Sequence, residues 1–102
     1  MGYPLVRIFL EEVNKFINSL VEEERRKFAL ATTLLCEGNF EALYIKQITK
    51  NIKELRIKKY RLLFFFYQNS VYFVHVFVKK TNKTPKKEID RAEKYYKLIT
   101  NN

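Results

Sequence analysis

Glycine, proline, cysteine, histidine and tryptophan are all scarce in this sequence, and these shortages exclude several kinds of site. The 102 residues include two glycines, two prolines, one cysteine, one histidine and no tryptophan. Because Gly2 and Gly38 are the only glycines, the chain has no glycine-rich phosphate-binding loop. One cysteine and one histidine cannot form a zinc site, so we expect neither a metal nor a cofactor. Cys36 cannot form a disulfide within the chain, which is typical of a reducing compartment.

Long apolar runs are missing as well. The most apolar stretch, residues 61–78, is interrupted by Arg61, by Gln68-Asn69-Ser70 and by His75, and its β-branched and aromatic residues are typical of strands. We therefore expect no membrane-spanning segment and no membrane partner. Met1–Leu10 lacks the basic start and the small-residue cleavage site of a signal peptide, so we expect a cytoplasmic protein.

Positive charge is concentrated in the later part of the chain. Residues 1–40 contain five Lys or Arg and six Asp or Glu, a net charge of −1, whereas residues 41–102 contain fifteen and five, a net charge of +10. A basic surface of this kind predicts a phosphate-rich partner such as a nucleic acid. The alternative is that the lysines only solvate the surface.

The centre of the chain predicts an antiparallel sheet. Two runs rich in β-branched and aromatic residues, separated by a short polar turn, predict a hairpin with strands over Tyr60–Tyr67 and Val71–Val78. Ile52–Ile57, joined to the first of them by Lys58-Lys59, predicts a third strand. Tyr3–Leu10 is ambiguous between strand and helix, and its β-rich content favours a strand. Residues 39–51 have no clear period and predict a turn or an irregular segment.

Helical periodicity lies on either side of these strands. Residues 11–37 predict a helical hairpin whose second helix starts from a capping box formed by Ser19 and Glu22. For the last helix we expect Thr84 as N-cap, with Pro85 at the first helical position. The predicted fold is therefore a single α+β domain over residues 1–102, in which an N-terminal strand and a helical hairpin pack on an antiparallel sheet and a helix ends the chain.

Three stretches of the chain resemble a known group of proteins. They read KFINSLVEEERRKF…LLCEGN, IKELRIKKYRLLFFF and HVFVKKTNKTPKKEIDRA. They resemble the HigB-like, phage-derived branch of the RelE/ParE toxin superfamily, which has a helix reading F-L-x-S-L, an E-L-R strand, a Y-R strand and F-x-K-K-T-x-K-T-P before its last helix. Ile17 stands where that branch has leucine. The resemblance covers about residues 13–96.

The resemblance implies the toxin half of a type II toxin–antitoxin pair. Such toxins are typically small endoribonucleases that cleave mRNA in the ribosomal A site and are silenced by a partner antitoxin. The implied partners are therefore the ribosome, mRNA and a helix-turn-helix antitoxin of the HigA-like kind. Two alternatives stay open: a ParE-like toxin that poisons DNA gyrase, and a basic RNA-binding module without catalytic activity.

Metal-free RNA cleavage needs fixed positive charge where the phosphorane forms. The resemblance matches Arg61, in the Y-R strand, to a position in the active cleft, and it matches the lysine loop to the family's basic loop. The predicted catalytic residues are Arg61, Lys80, Lys83 and Lys86. The predicted RNA-binding residues are Lys46, Lys50, Lys53, Arg56, Lys58, Lys59, Lys79 and Lys87.

Two residues are candidates for proton transfer. His75 is the only histidine, and histidine is the side chain that titrates near neutral pH, but in an apolar strand it can equally be a core residue with satisfied hydrogen bonds. Glu54 stands where some RelE toxins have lysines in the strand before the Y-R strand, and it could act as a base or be structural. Relatives differ in the residue that transfers the proton, so the resemblance does not decide between them.

The position of Arg61 predicts which face of the sheet is open. Its side chain shares a face with Leu63, Phe65 and Tyr67, because alternate residues of a strand point to the same side. A guanidinium is costly to bury unpaired, so we expect the Arg61 face to be open to RNA and the opposite face to meet the helices. The aromatic run is interpreted as a core strand, with Tyr67 or Tyr72 as the residues that could stack on bases.

Overall fold

The computed structural model describes residues 2–101, and within that range the chain forms five strands and three α-helices. The strands are β1 (Val6–Phe9), β2 (Tyr44–Gln47), β3 (Lys53–Ile57), β4 (Tyr60–Tyr67) and β5 (Ser70–Val78). The helices are α1 (Glu11–Asn18), α2 (Glu22–Cys36) and α3 (Lys86–Thr100). The single-domain prediction over residues 1–102 includes Met1 and Asn102, which lie outside the described residues.

The strands form one sheet in the order β1-β5-β4-β3-β2. The three predicted central strands are present and antiparallel, and Tyr3–Leu10 does contain a strand, so the predicted α+β class is confirmed. The two hairpins turn at Lys58 and Gln68, whose φ angles of 56° and 57° are typical of tight two-residue turns. The sheet as a whole is mixed, because β1 runs parallel to β5.

The prediction for residues 39–51 was wrong in one part, since β2 lies within them. This strand pairs antiparallel with β3 at the edge of the sheet, with Tyr44 opposite Arg56. Of its four residues, only Ile45 packs against the core, so it contributes too few apolar positions to produce a visible period. This edge strand forms one wall of the candidate site.

Helices cover both faces of the sheet, and each face has its own hydrophobic cluster. The cluster against α1 and α2 includes Val13, Phe28, Leu35, Leu55, Leu62, Phe64, Val71 and Phe73. The cluster against α3 includes Ile52, Leu63, Phe65, Val74, Phe77 and Ala92. The helical hairpin therefore packs on the Leu62 and Phe64 face, as predicted.

The expectation that the Arg61 face is open was wrong for most of its length. Leu63 and Phe65, on that face, are 0% and 2% exposed because α3 covers them. The half-buried Tyr67 and Tyr72 pack in the same cluster, so neither lies free on an open face. Arg61 itself lies at the end of β4, beyond the cover of α3, and only this end of the face is accessible.

Both predicted helix caps were also wrong. The N-cap of α2 is Val21, without a side-chain hydrogen bond, and the Ser19 hydroxyl donates instead to the carbonyl of Phe16 at 2.6 Å. The N-cap of α3 is Pro85, because the Thr84 hydroxyl donates to a carboxylate on β3 rather than to its own helix. Of the three helices in the described range, none combines the length and the apolar character that crossing a bilayer requires.

Candidate functional site

A cleft of about 500 Å³ opens where β2, β3 and β4 meet the loop that follows β5. It is lined by Tyr44, Ile45, Lys46, Glu54, Arg56, Arg61, Lys79, Lys80, Thr81 and Asn82. Five of these side chains are cationic and one is a carboxylate, so the lining carries a net charge of +4 (five minus one). A concave surface of this charge concentrates anions such as phosphate groups.

The register of the sheet explains why these residues meet. Tyr44 lies opposite Arg56, and Arg56 lies opposite Arg61, so the three side chains form one row across β2, β3 and β4. Lys46 and Glu54 form the neighbouring row on the same face. Since α3 begins only at Lys86, this corner of the sheet stays uncovered and the loop before the helix forms its rim.

Arg61 is held rigidly at the floor of the cleft. Its side chain is 12% exposed, and Nη1 donates to the backbone carbonyls of Lys58 and Tyr60, both at 2.9 Å. Its Nε lies 3.9 Å from Oε1 of Glu54. Among residues 2–101, Nη2 has no hydrogen-bond partner. The guanidinium is therefore fixed at one side and has a donor left for an oxyanion in the cleft.

Glu54, on β3, interacts with side chains from β4, from the loop after β5 and from the residue before Pro85. This carboxylate is 4% exposed, and its Oε2 accepts a hydrogen bond of 2.6 Å from the Thr84 hydroxyl. Its Oε1 lies 3.9 Å from both Arg61 Nε and Lys79 Nζ. Oε2 is thus hydrogen-bonded, and Oε1 lies between two cations at a distance longer than a hydrogen bond, an arrangement that suits a residue that positions the two cations. Thr84 brings the start of α3 into the same network.

The cleft unites about half of the residues predicted from the sequence. Of the predicted catalytic residues, Arg61 and Lys80 line it, and so do the predicted RNA-binding residues Lys46, Arg56 and Lys79. The remaining predicted residues lie outside its lining: Lys50, Lys53, Lys58, Lys59, Lys83, Lys86, Lys87 and His75.

Some of these outlying lysines have other contacts. Lys53 lies above the ring of Phe66, on the sheet face of the helical hairpin, with its ammonium 5.9 Å from the ring centre. Lys86 pairs with Asp90 one turn along α3 at 2.7 Å. Lys58 and Lys59 occupy the β3–β4 turn, where both are exposed. These lysines can widen the basic surface, but the structure does not bring them to the cleft.

His75 lies away from the cleft, between two carboxylates. Leu63 pairs with His75 and Phe64 with Phe73, so Val74 is an extra residue in β5 and the regular alternation of that strand is broken. Nδ1 of His75 lies 3.1 Å from Glu12, and Nε2 lies 2.5 Å from Glu88. Both ring nitrogens are therefore engaged, and the residue joins α1, β5 and α3.

Glu12 is the centre of that network. Arg91 donates two hydrogen bonds to it, at 2.8 and 3.1 Å, and the Tyr95 hydroxyl donates another at 2.6 Å. The hydrogen bond from Arg91, with further help from Tyr95 and His75, lowers the pKa of Glu12 to about 2, although partial burial opposes the shift. The same network raises the pKa of Tyr95, chiefly through its hydrogen bond to Glu12.

We expect Glu12→Gln to make folding stability less sensitive to acid. Because the pKa of Glu12 is lower in the folded chain than its ordinary value of 4.5, its contribution is complete above that pH and is lost as the pH falls towards 2. At pH 7 the substitution should lower the free energy of unfolding by only about 1.5 kcal/mol, because Glu12 is partly exposed to solvent. Urea unfolding of both proteins from pH 7 to pH 2 measures this difference. A constant difference between them across that range would contradict the assignment.

Some residues of the cleft wall, on β2, and of its rim, in the loop after β5, were not predicted from the sequence. Tyr44 and Ile45 were overlooked because β2 was not predicted, and Thr81 and Asn82 carry no distinctive pattern within a polar loop. The short T-x-K-T-P run does contain Thr84, but the spacing alone indicated a helix cap rather than a partner for Glu54. Within residues 2–101, no group of three His, Cys, Asp or Glu side chains is arranged to hold a metal ion.

A five-stranded sheet with helices on both faces and a C-terminal helix is consistent with a RelE-like fold. Residues 15–97 match the family described as "Phage derived protein Gp49-like (DUF891)". The chain belongs to this family, which is associated with RelE-like and toxin-like proteins. None of the curated proteins compared with the sequence matches it.

Proposed function

We propose that this protein is the toxin of a type II toxin–antitoxin system, of the HigB-like kind, and that it cleaves mRNA on the ribosome without a metal ion. Its membership of a toxin-associated family supports the toxin part of the proposal. The observation that carries the nuclease part is the cleft itself, where a fixed guanidinium and four further cations surround a space of about 500 Å³.

The chemistry of the proposal follows from these groups. The ribose 2′-hydroxyl gives up its proton to a base and its oxygen attacks the adjacent phosphorus. A new O2′–P bond forms, the P–O5′ bond breaks and the departing O5′ takes up a proton, which leaves a 2′,3′-cyclic phosphate and a 5′-hydroxyl end. Arg61 and Lys80 stabilise the extra negative charge of the phosphorane. Lys46, Arg56 and Lys79 hold the neighbouring phosphates, and this electrostatic attraction provides most of the affinity for RNA.

Glu54 acts in this scheme as a positioning residue. Its contacts with Arg61 and Lys79 keep two cations in fixed places, so little reorganisation is needed when charge develops on the phosphate. The antitoxin, a helix-turn-helix protein in this proposal, then silences the toxin.

Induced expression of the chain without an antitoxin tests the proposal. We expect growth and translation to stop, and ribosome-bound mRNA to show new 5′ ends, because the cleft cuts mRNA as it passes through the A site. Sequencing of mRNA 5′ ends before and after induction measures this effect. The Arg61→Ala variant, expressed to the same level, is the control and should produce far fewer new 5′ ends.

Two other results would favour the alternatives. If growth stops while mRNA stays intact and DNA gyrase is trapped on DNA, the chain is a gyrase poison like the ParE toxins. If the chain binds RNA but neither cuts it nor stops growth, it is a basic RNA-binding module without catalytic activity.

A further inference from the structure

Tyr44 is the most exposed large hydrophobic side chain in the described range. It is 72% exposed and lies on β2, the edge strand that forms a wall of the cleft. Isolated exposed apolar residues are common and need no explanation by themselves. Tyr44 differs from the others because it lies beside five cationic side chains that the phosphate partner would contact.

The ring of Tyr44 already has a cationic neighbour. The guanidinium carbon of Arg56 lies 5.3 Å from the ring centre, and the two residues are directly opposite each other in the β2–β3 ladder. This cation–π contact limits the orientations of an otherwise exposed ring. An aromatic ring that is held in place but still mostly exposed loses little conformational entropy when another flat group stacks on it.

The distance between Tyr44 and the guanidinium of Arg61 would allow them to contact a base and a phosphate of adjacent nucleotides. Arg56 is opposite Arg61 on β4, so Tyr44, Arg56 and Arg61 form a row across three adjacent strands. Neighbouring strands are about 4.8 Å apart, which puts the backbones of Tyr44 and Arg61 about 10 Å apart. That separation is similar to the distance between a backbone phosphate and the base of an adjacent nucleotide in an extended single strand.

We propose that Tyr44, supported by Arg56, is a stacking platform for one unpaired nucleobase next to the phosphate that Arg61 contacts. The substrate class is therefore single-stranded RNA in which a base is free to leave its neighbours, since a base inside a duplex cannot present its face to the ring. Every base has a π-face, so this contact selects unpaired RNA rather than a particular base. The inference rests on the proposed function and extends it to how the substrate is held.

The test removes the Tyr44 ring and one nucleobase of the RNA, separately and together. The probes are ribosomes programmed with an mRNA whose A-site region lacks one nucleobase at a time, and the measured quantity is kcat/KM for cleavage. With intact mRNA, Tyr44→Ala should lower kcat/KM by about five- to a hundredfold, whereas Tyr44→Phe should stay within about twofold of the wild type. Leu98→Ala, which removes another exposed apolar side chain (67% exposed) on α3, is the matched control and should have no effect.

The decisive result is the coupling between Tyr44→Ala and the removal of one nucleobase from the RNA. The wild type should lose activity when one particular base is missing, and Tyr44→Ala should lose nothing further on that RNA, because the same contact has already been removed. If Tyr44→Ala matches the wild type on every RNA, the inference is overturned while the proposed function stands.

Failure of the proposed function can be told apart from failure of this inference. If the wild type does not cleave, the same substitutions are compared by the affinity of each protein for the intact and base-deleted single-stranded RNAs, with 2′-O-methyl groups added to block cleavage. Coupling in affinity would support the stacking platform without nuclease activity. Absence of coupling, or of RNA binding by the wild type, would overturn it.

Discussion

Arg61→Ala should slow single-turnover cleavage of A-site mRNA by about a hundredfold or more. The guanidinium is fixed by two backbone carbonyls and by Glu54, so it can stabilise charge that develops only in the transition state. Ribosome affinity should change far less, because Arg61 is one cation among the five that line the cleft. The measurement combines single-turnover rates at saturating toxin with the affinity for ribosomes.

Lys58→Ala is the matched control for this prediction. It removes an exposed cation from the β3–β4 turn but retains the backbone carbonyl that accepts a hydrogen bond from Arg61. It should weaken binding slightly and leave the cleavage rate nearly unchanged. Arg61→Lys keeps the positive charge but loses the planar donor geometry, so it should recover only part of the rate.

Two results would argue against a catalytic role for Arg61. Small, equal effects of Arg61→Ala and Lys58→Ala would mean that the cleft binds RNA without promoting its cleavage. Because the Arg61 side chain is only 12% exposed, thermal unfolding of each variant is measured in parallel. A rate loss seen only in a variant that is already partly unfolded at the assay temperature would have a structural cause.

The central sheet was predictable because its signals are local. β4 and β5 are rich in β-branched and aromatic residues, and two-residue turns join β3, β4 and β5, so strand pairing and register are specified locally. Alternation showed which residues share a face, and the cost of burying Arg61 then placed the helical hairpin on the Leu62 and Phe64 face, where it lies. β2 was missed because four residues at a sheet edge need only one apolar side chain, and its pairing with β3 depends on tertiary structure.

The open face was predicted wrongly because Arg61 needs access at only one end of the strand. The carbonyls of Lys58 and Tyr60 accept hydrogen bonds from its guanidinium once the hairpin turn forms, and the cleft lies beside it. α3 can then cover the rest of the face with Ala92 and its neighbours. A sequence shows which residues share a strand face but not which backbone carbonyls fold back towards them.

The candidate site was predictable only in part for a similar reason. Lys79, Lys80, Lys83, Lys86 and Lys87 form one basic run in the sequence, but only the first two line the cleft. The chain turns between them and the start of α3, so the later lysines lie elsewhere on the surface. The position of His75 depends on an extra residue in β5, which shifts the register after Leu63 and cannot be deduced from alternation.

Glu54→Gln should lower the free energy of unfolding by about 3 kcal/mol and slow cleavage by about ten- to a hundredfold. The amide oxygen can still accept the Thr84 hydrogen bond, but Arg61 and Lys79 lose the buried negative charge that lies 3.9 Å from each of them. Both cations then become less well positioned. Urea unfolding and single-turnover cleavage measure the two effects.

Glu93→Gln is the matched control for Glu54→Gln. Glu93 accepts hydrogen bonds from Thr49, at 2.5 Å, and from Asn51, at 3.1 Å, so it also joins the β2–β3 turn to α3 through a carboxylate. It does not line the cleft. Its substitution should lower stability without changing the cleavage rate, which separates a general loss of stability from an effect on the site.

The pH dependence of cleavage decides whether Glu54 positions the cations or accepts the proton. A general base must be deprotonated, so its loss removes the part of the pH–rate profile in which the rate rises with pH on the acid side. A positioning carboxylate acts through Arg61 and Lys79, and its replacement lowers the rate at every pH without changing the shape of the profile. Since Oε2 is hydrogen-bonded to Thr84 and the carboxylate lies between Arg61 and Lys79, we expect the second result. Loss of the acid-side rise in Glu54→Gln would instead make Glu54 the base.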